Sequence, residues 1–400
     1  VTARPAHLRA VDVVRVTTVA GVIAVHAVSA NANPASPVVG AIEDVLHVNR
    51  EVFLLLSAFV LTYAYGRKRL AVVPFWRRRS VFVVVPYVLW SAVYCTDSGL
   101  YHSVGSWLGR FAYDLATGAA WYHLYFLLLT LQLYAVFPVL VALARRVHHR
   151  VLLAVSLVIE IGLLALFHYH PPSSGLLGAW SRHPETLLVS YQFSVVAGTV
   201  AALHLEDLTT WLARHRRTVL CALGAALGAA VASYAIDLSL RRLPPTAAAA
   251  VFQPATALDA VAVAAGLLAL GGWLEDRRAT RMLGAAHAGA DLSFGVYLVH
   301  PLLLQALLAV ASTTGTASAL ARAGTPAVLG TDLFIVTPLL YAASAGVIHL
   351  ARRTPLSLPL TGRAAIVSGA RLGSVLSRRT PHVPRRTQTA PAPAASGVTT

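Results

Sequence analysis

Arg15 and His26 lie eleven residues apart in one apolar stretch, VDVVRVTTVAGVIAVHAVSA. At ~100° per residue that spacing closes almost three turns of α-helix, so both side chains share a face, ~16 Å apart along the axis. Ionisable groups are costly inside a bilayer, so a cation and an imidazole in register there make a functional-site hypothesis. The guanidinium suits phosphate or carboxylate. The imidazole, whose ordinary pKa allows proton exchange near neutrality, suits deprotonation of a hydroxyl. Asp12, three residues before Arg15, lies on the same stripe and can neutralise it. The competing reading, a plain hydrogen bond from His26 to a neighbouring helix, is equally natural for a lone histidine. The shared stripe with Arg15 tips the balance towards chemistry.

Other polar groups join this pair. His47, Asn49, Arg50 and Glu51 open a second apolar run and His123 opens a fourth, WYHLYFLLLTLQLYAVFPVL. Glu51 can orient an imidazole as its carboxylate partner, or pair with Arg50 beside it. Trp121, Tyr122 and Tyr125 read as interface anchors or packing residues. In SFGVYLVHPLLLQALLAV, Tyr297 and His300 stand at i and i+3, ahead of the helix-disturbing Pro301. Glu160 and Gln192 are further buried polar groups. A basic block, Arg67, Lys68 and Arg69 followed by Arg77, Arg78 and Arg79, suits either the phosphates of a nucleotide-containing donor or lipid headgroups. There is no Walker loop, dinucleotide fingerprint, GxSxG elbow or HExxH pair, and no metal centre is expected. Cys95 and Cys221 fall near opposite ends of their spans and are not expected to pair.

The elements that must position these groups are membrane helices. Of 400 residues, 57% are hydrophobic and only 12% charged, and the mean hydropathy is +0.66. That composition points to an all-α polytopic membrane bundle. Apolar runs of spanning length fall at about ten places: 11–30, 46–66, 80–96, 121–144, 151–168, 187–204, 218–238, 256–274, 291–311 and 331–351. With the N-terminus inside, 25 of the 32 basic residues fall in cytoplasmic segments, which predicts that both termini are cytoplasmic. The net charge of +16 then needs no nucleic-acid partner, and the basic loops lack base-stacking aromatics. Residues 1–351 read as one transmembrane domain. Residues 352–400 read as a basic, Pro/Ala/Thr-rich disordered tail resting on anionic lipid. Ala30-Asn31-Ala32 mimics a signal-peptide cleavage site, but Asp12, Arg15 and His26 interrupt the run before it.

Five segments in order resemble acyltransferase family 3, bacterial ten-span membrane enzymes. The most specific is the Arg-x10-His pair of Arg15 and His26. The others are VFLLLSAFVL (52–61), PYVLW (86–90), HLYFLLLTLQLYAVFP (123–138) and SFGVYLVHP (293–301). Two departures stand out: Ala58 replaces the usual glycine after Ser57, and Arg77, Arg78 and Arg79 form a consecutive run instead of a spaced Arg-x-x-Arg. The resemblance implies an O-acetyltransferase of the plasma membrane in its stand-alone form. Its donor would be acyl-coenzyme A, most often acetyl-coenzyme A, used as a substrate and not held permanently. Its acceptor would be a hydroxyl on a glycan, glycolipid or glycosylated metabolite. Arg15 and the basic rim Arg77, Arg78 and Arg79 would hold the coenzyme. His26 would act as base or relay, supported by Glu51, His123, Tyr297 or His300. Export of a polysaccharide or a small molecule by the same kind of bundle is the alternative.

Overall fold

The computed structural model describes residues 7–66, 70–97, 99, 103–250 and 252–366, and among them all regular structure is helical. The first membrane helix is α1 (Arg9–Asn31), followed by α2 (Pro37–His47), α3 (Asn49–Tyr65), α4 (Val72–Asp97), α5 (Val104–Thr117), α6 (Tyr125–Arg146) and α7 (His149–Tyr169). The second half comprises α8 (Gly175–Ser181), α9 (Gln192–Leu203), α10 (Leu205–Arg214), α11 (Arg216–Ser239), α12 (Pro245–Ala248), α13 (Thr256–Asp276) and α14 (Thr280–Thr313). It closes with α15 (Thr316–Arg322), α16 (Thr325–Thr331), α17 (Thr337–Ala351) and α18 (Ser357–Thr361). Nine stretches of the described residues are long and apolar enough to cross a membrane. A tenth, Leu188–Leu203 with Leu205–Arg214, is broken by a 91° bend. The expected all-α membrane bundle is therefore present, with nine candidate spans among the described residues, or ten where the bent pair counts as one.

Packing places α1 at the centre, against α3, α13, α14 and α17. It can lie there because it is apolar on nearly all sides, with Val14, Val19, Ile23, Ala27 and Val28 fully enclosed. Small residues allow close approaches. A Cβ on Gly198 of α9 would overlap the Leu55 carbonyl of α3, and one on Gly21 of α1 would overlap the Asn49 side chain.

Element bounds differ most from the sequence expectation in three places. The second span starts at Pro37, because α2 and α3 run on through a helical Val48. The third starts at Val72, so Arg77, Arg78 and Arg79 stand inside the first turns of α4. The ninth starts at Thr280 and carries 34 residues. Residues 352–366, expected to belong to a disordered tail, are part of the described fold. In α18, Ser357 and Thr361 are buried, and the Trp90 indole donates to the Leu360 carbonyl at 3.2 Å. Contacts divide the chain after Ala365, and residues 367–400 of the second unit lie outside the described residues, as do Arg67, Lys68 and Arg69.

Candidate active site

Where α1 ends towards Asn31, a cavity of about 580 Å³ opens, and His26 forms part of its wall. Around it stand His47, Asn49, Arg50, Tyr122, His123 and Tyr297, with apolar surface from Val22, Phe53, Phe126 and Phe252. The His26 ring lies 4.4 Å from that of Tyr122 and stacks on His300 at 5.5 Å, centroid to centroid. His123 completes the cluster, 5.6 Å from His300 and 5.1 Å from Tyr297. Three imidazoles from α1, α14 and the segment before α6 thus meet at one end of the bundle, with His47 of α2 on the same wall.

Local sequence explains the pose of His300. Pro301 has no N–H, so the Tyr297 carbonyl four residues earlier loses its helical donor. The His300 ring supplies the replacement, its Nδ1–H donating to that carbonyl at 2.8 Å. This fixes the tautomer and leaves Nε2 as a buried acceptor without a hydrogen-bond partner. Tyr297 is held in turn, its hydroxyl donating to the His123 backbone carbonyl. His123, outside the spans, is enclosed at 2% exposure. Burial, with His300 and His26 beside it, holds its pKa well below the ordinary histidine value, so the ring is neutral.

Glu51 does not serve an imidazole. Its carboxylate pairs with Arg50 at 3.1 Å and is not part of the cavity wall. Arg50 does reach the wall, with its guanidinium 4.9 Å from the Phe252 ring and 5.6 Å from Tyr191. Neighbouring helical side chains leave the backbone about 100° apart, so the contact depends on the long Arg50 side chain reaching round to Glu51. Glu160 and Gln192 are structural hydrogen-bonders, to the Phe193 N–H at 2.6 Å and to the Ser156 carbonyl respectively. Tyr122 and Tyr125 are wall residues of the cavity.

Arg15 sits towards the other end of α1, away from this wall. Its electrostatic neighbours are Asp12, Asp291, Arg363 and Tyr341. Asp291 itself accepts from both Arg352 and Arg363. From α4, Arg79 lies over the Tyr65 ring at 5.1 Å and donates to its hydroxyl at 3.3 Å. Tyr134 lies within electrostatic range of both Arg79 and Arg15. Arg77 and Arg78 are exposed. The α4 start is tied down at a second proline gap: Pro138 deprives the Tyr134 carbonyl of its donor, and the Trp76 indole fills it at 2.8 Å. Arg79, Arg352 and Arg363 thus gather near Arg15, and sequence distance hid the last two. The one early signal was Asp291, a lone carboxylate at the mouth of an apolar run.

Such an arrangement can bind a phosphorylated donor at one end and handle a hydroxyl at the other. Comparison with curated proteins and with solved structures finds no match. The family model for the acyltransferase domain of acyltransferase family 3 matches residues 8–349. The match runs from α1 into α17 and includes Arg15, Arg79 and the imidazole cluster around His26, and the chain is therefore a membrane-embedded member of the acyltransferase 3 family.

Proposed function

We propose that the protein is an O-acyltransferase that moves an acyl group, typically acetyl, from acyl-coenzyme A to a hydroxyl of a glycan, glycolipid or glycosylated metabolite. The observation that carries this reading is the position of His26 on the wall of a cavity of about 580 Å³, with Arg15 among further cations towards the opposite end of the same helix. The separation of ~16 Å suits a donor whose phosphates and thioester are joined by a long pantetheine arm. Arg15, Arg79, Arg352 and Arg363 hold the phosphates by charge-assisted hydrogen bonds. At the far end, the acceptor hydroxyl gives its proton to His26 while its oxygen attacks the thioester carbonyl. The C–S bond then breaks, and the coenzyme leaves as a thiol carrying the proton returned by the imidazolium. Aromatic faces at Tyr122, Tyr125, Phe126 and Tyr297 position the acceptor. The basic end faces the cytoplasm and the cavity faces the outer leaflet of the plasma membrane, as the distribution of arginines predicts.

Acetyl transfer from labelled acetyl-coenzyme A in membranes holding the protein tests this, against His26→Ala and Arg15→Ala at equal expression. Loss of the base is expected to slow transfer by ~10²–10⁴-fold. Loss of Arg15 is expected to raise the donor concentration needed for half-saturation. Full transfer in both variants would overturn the mechanism. The 91° break after Leu203 is a feature an exporter also uses. Movement of acceptor without appearance of label on it would favour that second reading.

A further inference from the structure

At the Arg9 end of α1, His7 and His287 converge on Asp12, which also lies within electrostatic range of Arg15. His7 Nε2 lies 2.6 Å from Asp12 Oδ2, and His287 Nδ1 lies 2.9 Å from the same oxygen. All three donor atoms fall within 4.8 Å of one another. The two rings meet edge to face at 4.7 Å. The carboxylate is buried at 6% exposure, whereas the histidine side chains are 55% and 59% exposed and front a hollow of about 310 Å³ that Arg9 also lines. None of these three residues is needed for the proton transfer at His26.

The geometry points to a divalent zinc site: two imidazole nitrogens and one carboxylate oxygen bind the ion, and solvent or an anion takes the fourth position. Two imidazoles with a carboxylate are a borderline-soft set that suits Zn²⁺ better than Mg²⁺ or Ca²⁺. Zinc–ligand distances of ~2.0–2.2 Å place tetrahedral ligands ~3.4 Å apart. The observed separations are tighter around Asp12 Oδ2. Entry of the ion therefore needs only a sub-ångström opening of His7 and His287, whose side chains are free to move into solvent. Arg9 on the rim favours an anionic fourth ligand. Occupation ties the segment before α1 to α14, two parts of the chain 280 positions apart. That distance is why no HExxH-type spacing announces the set and why no metal centre was expected from sequence.

The test uses the full chain purified without a polyhistidine tag, stripped with EDTA and dialysed against zinc alone. Metal content is expected to be one zinc per chain higher in the wild type than in His7→Gln or His287→Gln. Zinc is expected to raise the thermal midpoint of the wild type and not of either variant. Both replaced side chains are largely exposed, so the variants keep the helical far-ultraviolet spectrum, which is recorded alongside. Equal zinc content in all three proteins, or none in the wild type, would overturn the assignment and leave a purely hydrogen-bonded His–Asp–His cluster.

Discussion

Among the three consecutive arginines of α4, only Arg79 is drawn into the protein, over Tyr65 and beside Tyr134, while Arg77 and Arg78 point to the surface. Sequence offered all three as equal candidates for the donor phosphates, because composition does not say which face of a helix turns inward. A charge-assisted hydrogen bond contributes about 1.5–3 kcal/mol, so Arg79→Ala is expected to raise the KM for acetyl-coenzyme A by ~10–100-fold. Arg77→Ala and Arg78→Ala are expected to leave it within about twofold, as exposed charges do. Initial rates against donor concentration decide the point; an equal rise in all three would mean that the block acts as a diffuse field. His26 and Arg15 were legible from spacing alone. The partnership of Glu51 with Arg50 in place of an imidazole was one of two readings, and the direction each side chain takes in the packed bundle selected it.

At the scale of elements, prolines 138 and 301 each open a gap in a helix, and a side chain from the sequence nearby or from a neighbouring helix closes it. The second case aims an imidazole. Truncating His300 to alanine leaves the Tyr297 carbonyl buried and unpaired, which costs about 1–3 kcal/mol and lowers the thermal midpoint. Pro301→Ala restores a backbone donor to the same carbonyl, so its stabilising effect is expected to be larger in the His300→Ala background than in the wild type. Thermal unfolding of the four proteins in detergent forms the double-mutant cycle. Strict additivity would show that the ring and the missing N–H do not compensate one another. The His-Pro pair was visible in sequence as a helix disturbance; that the histidine itself repairs it depends on a rotamer that only the folded helix sets.

For the whole molecule, the enclosed imidazole of His123 links stability to pH. Its folded-state pKa is depressed by burial and by His300 and His26, so below the ordinary histidine value the unfolded chain binds a proton that the folded chain refuses. Stability is therefore full above that value and is lost as pH falls through it. The midpoint in detergent is expected to drop between about pH 7 and pH 5, with a shallower slope in His123→Gln. An unchanged slope would assign the loss to other groups. Orientation is tested at the same scale. With Cys95 and Cys221 replaced by serine, single cysteines at Ser29, on the cavity wall, and at Arg78 are expected to label from opposite faces of the membrane. Labelling of both from one face would refute the proposed topology.

Hydropathy and helical period are local properties, so residue order alone dictates a helical membrane bundle, about ten spans, and an Arg15–His26 stripe on the first of them. The bend after Leu203 and the early starts of the second, third and ninth spans were not legible, because packing and proline gaps set them and not average apolarity. Folding in three dimensions is what brings His47 and His123 to the cavity wall beside His26 and packs the buried His300 ring against His26 and His123. The same holds for Arg352 and Arg363, which bind Asp291 beside Arg15 and do not trail away in a tail. Apart from His47, these residues lie far along the chain from α1, and it is the burial of α1 by α3, α13, α14 and α17 that brings them together.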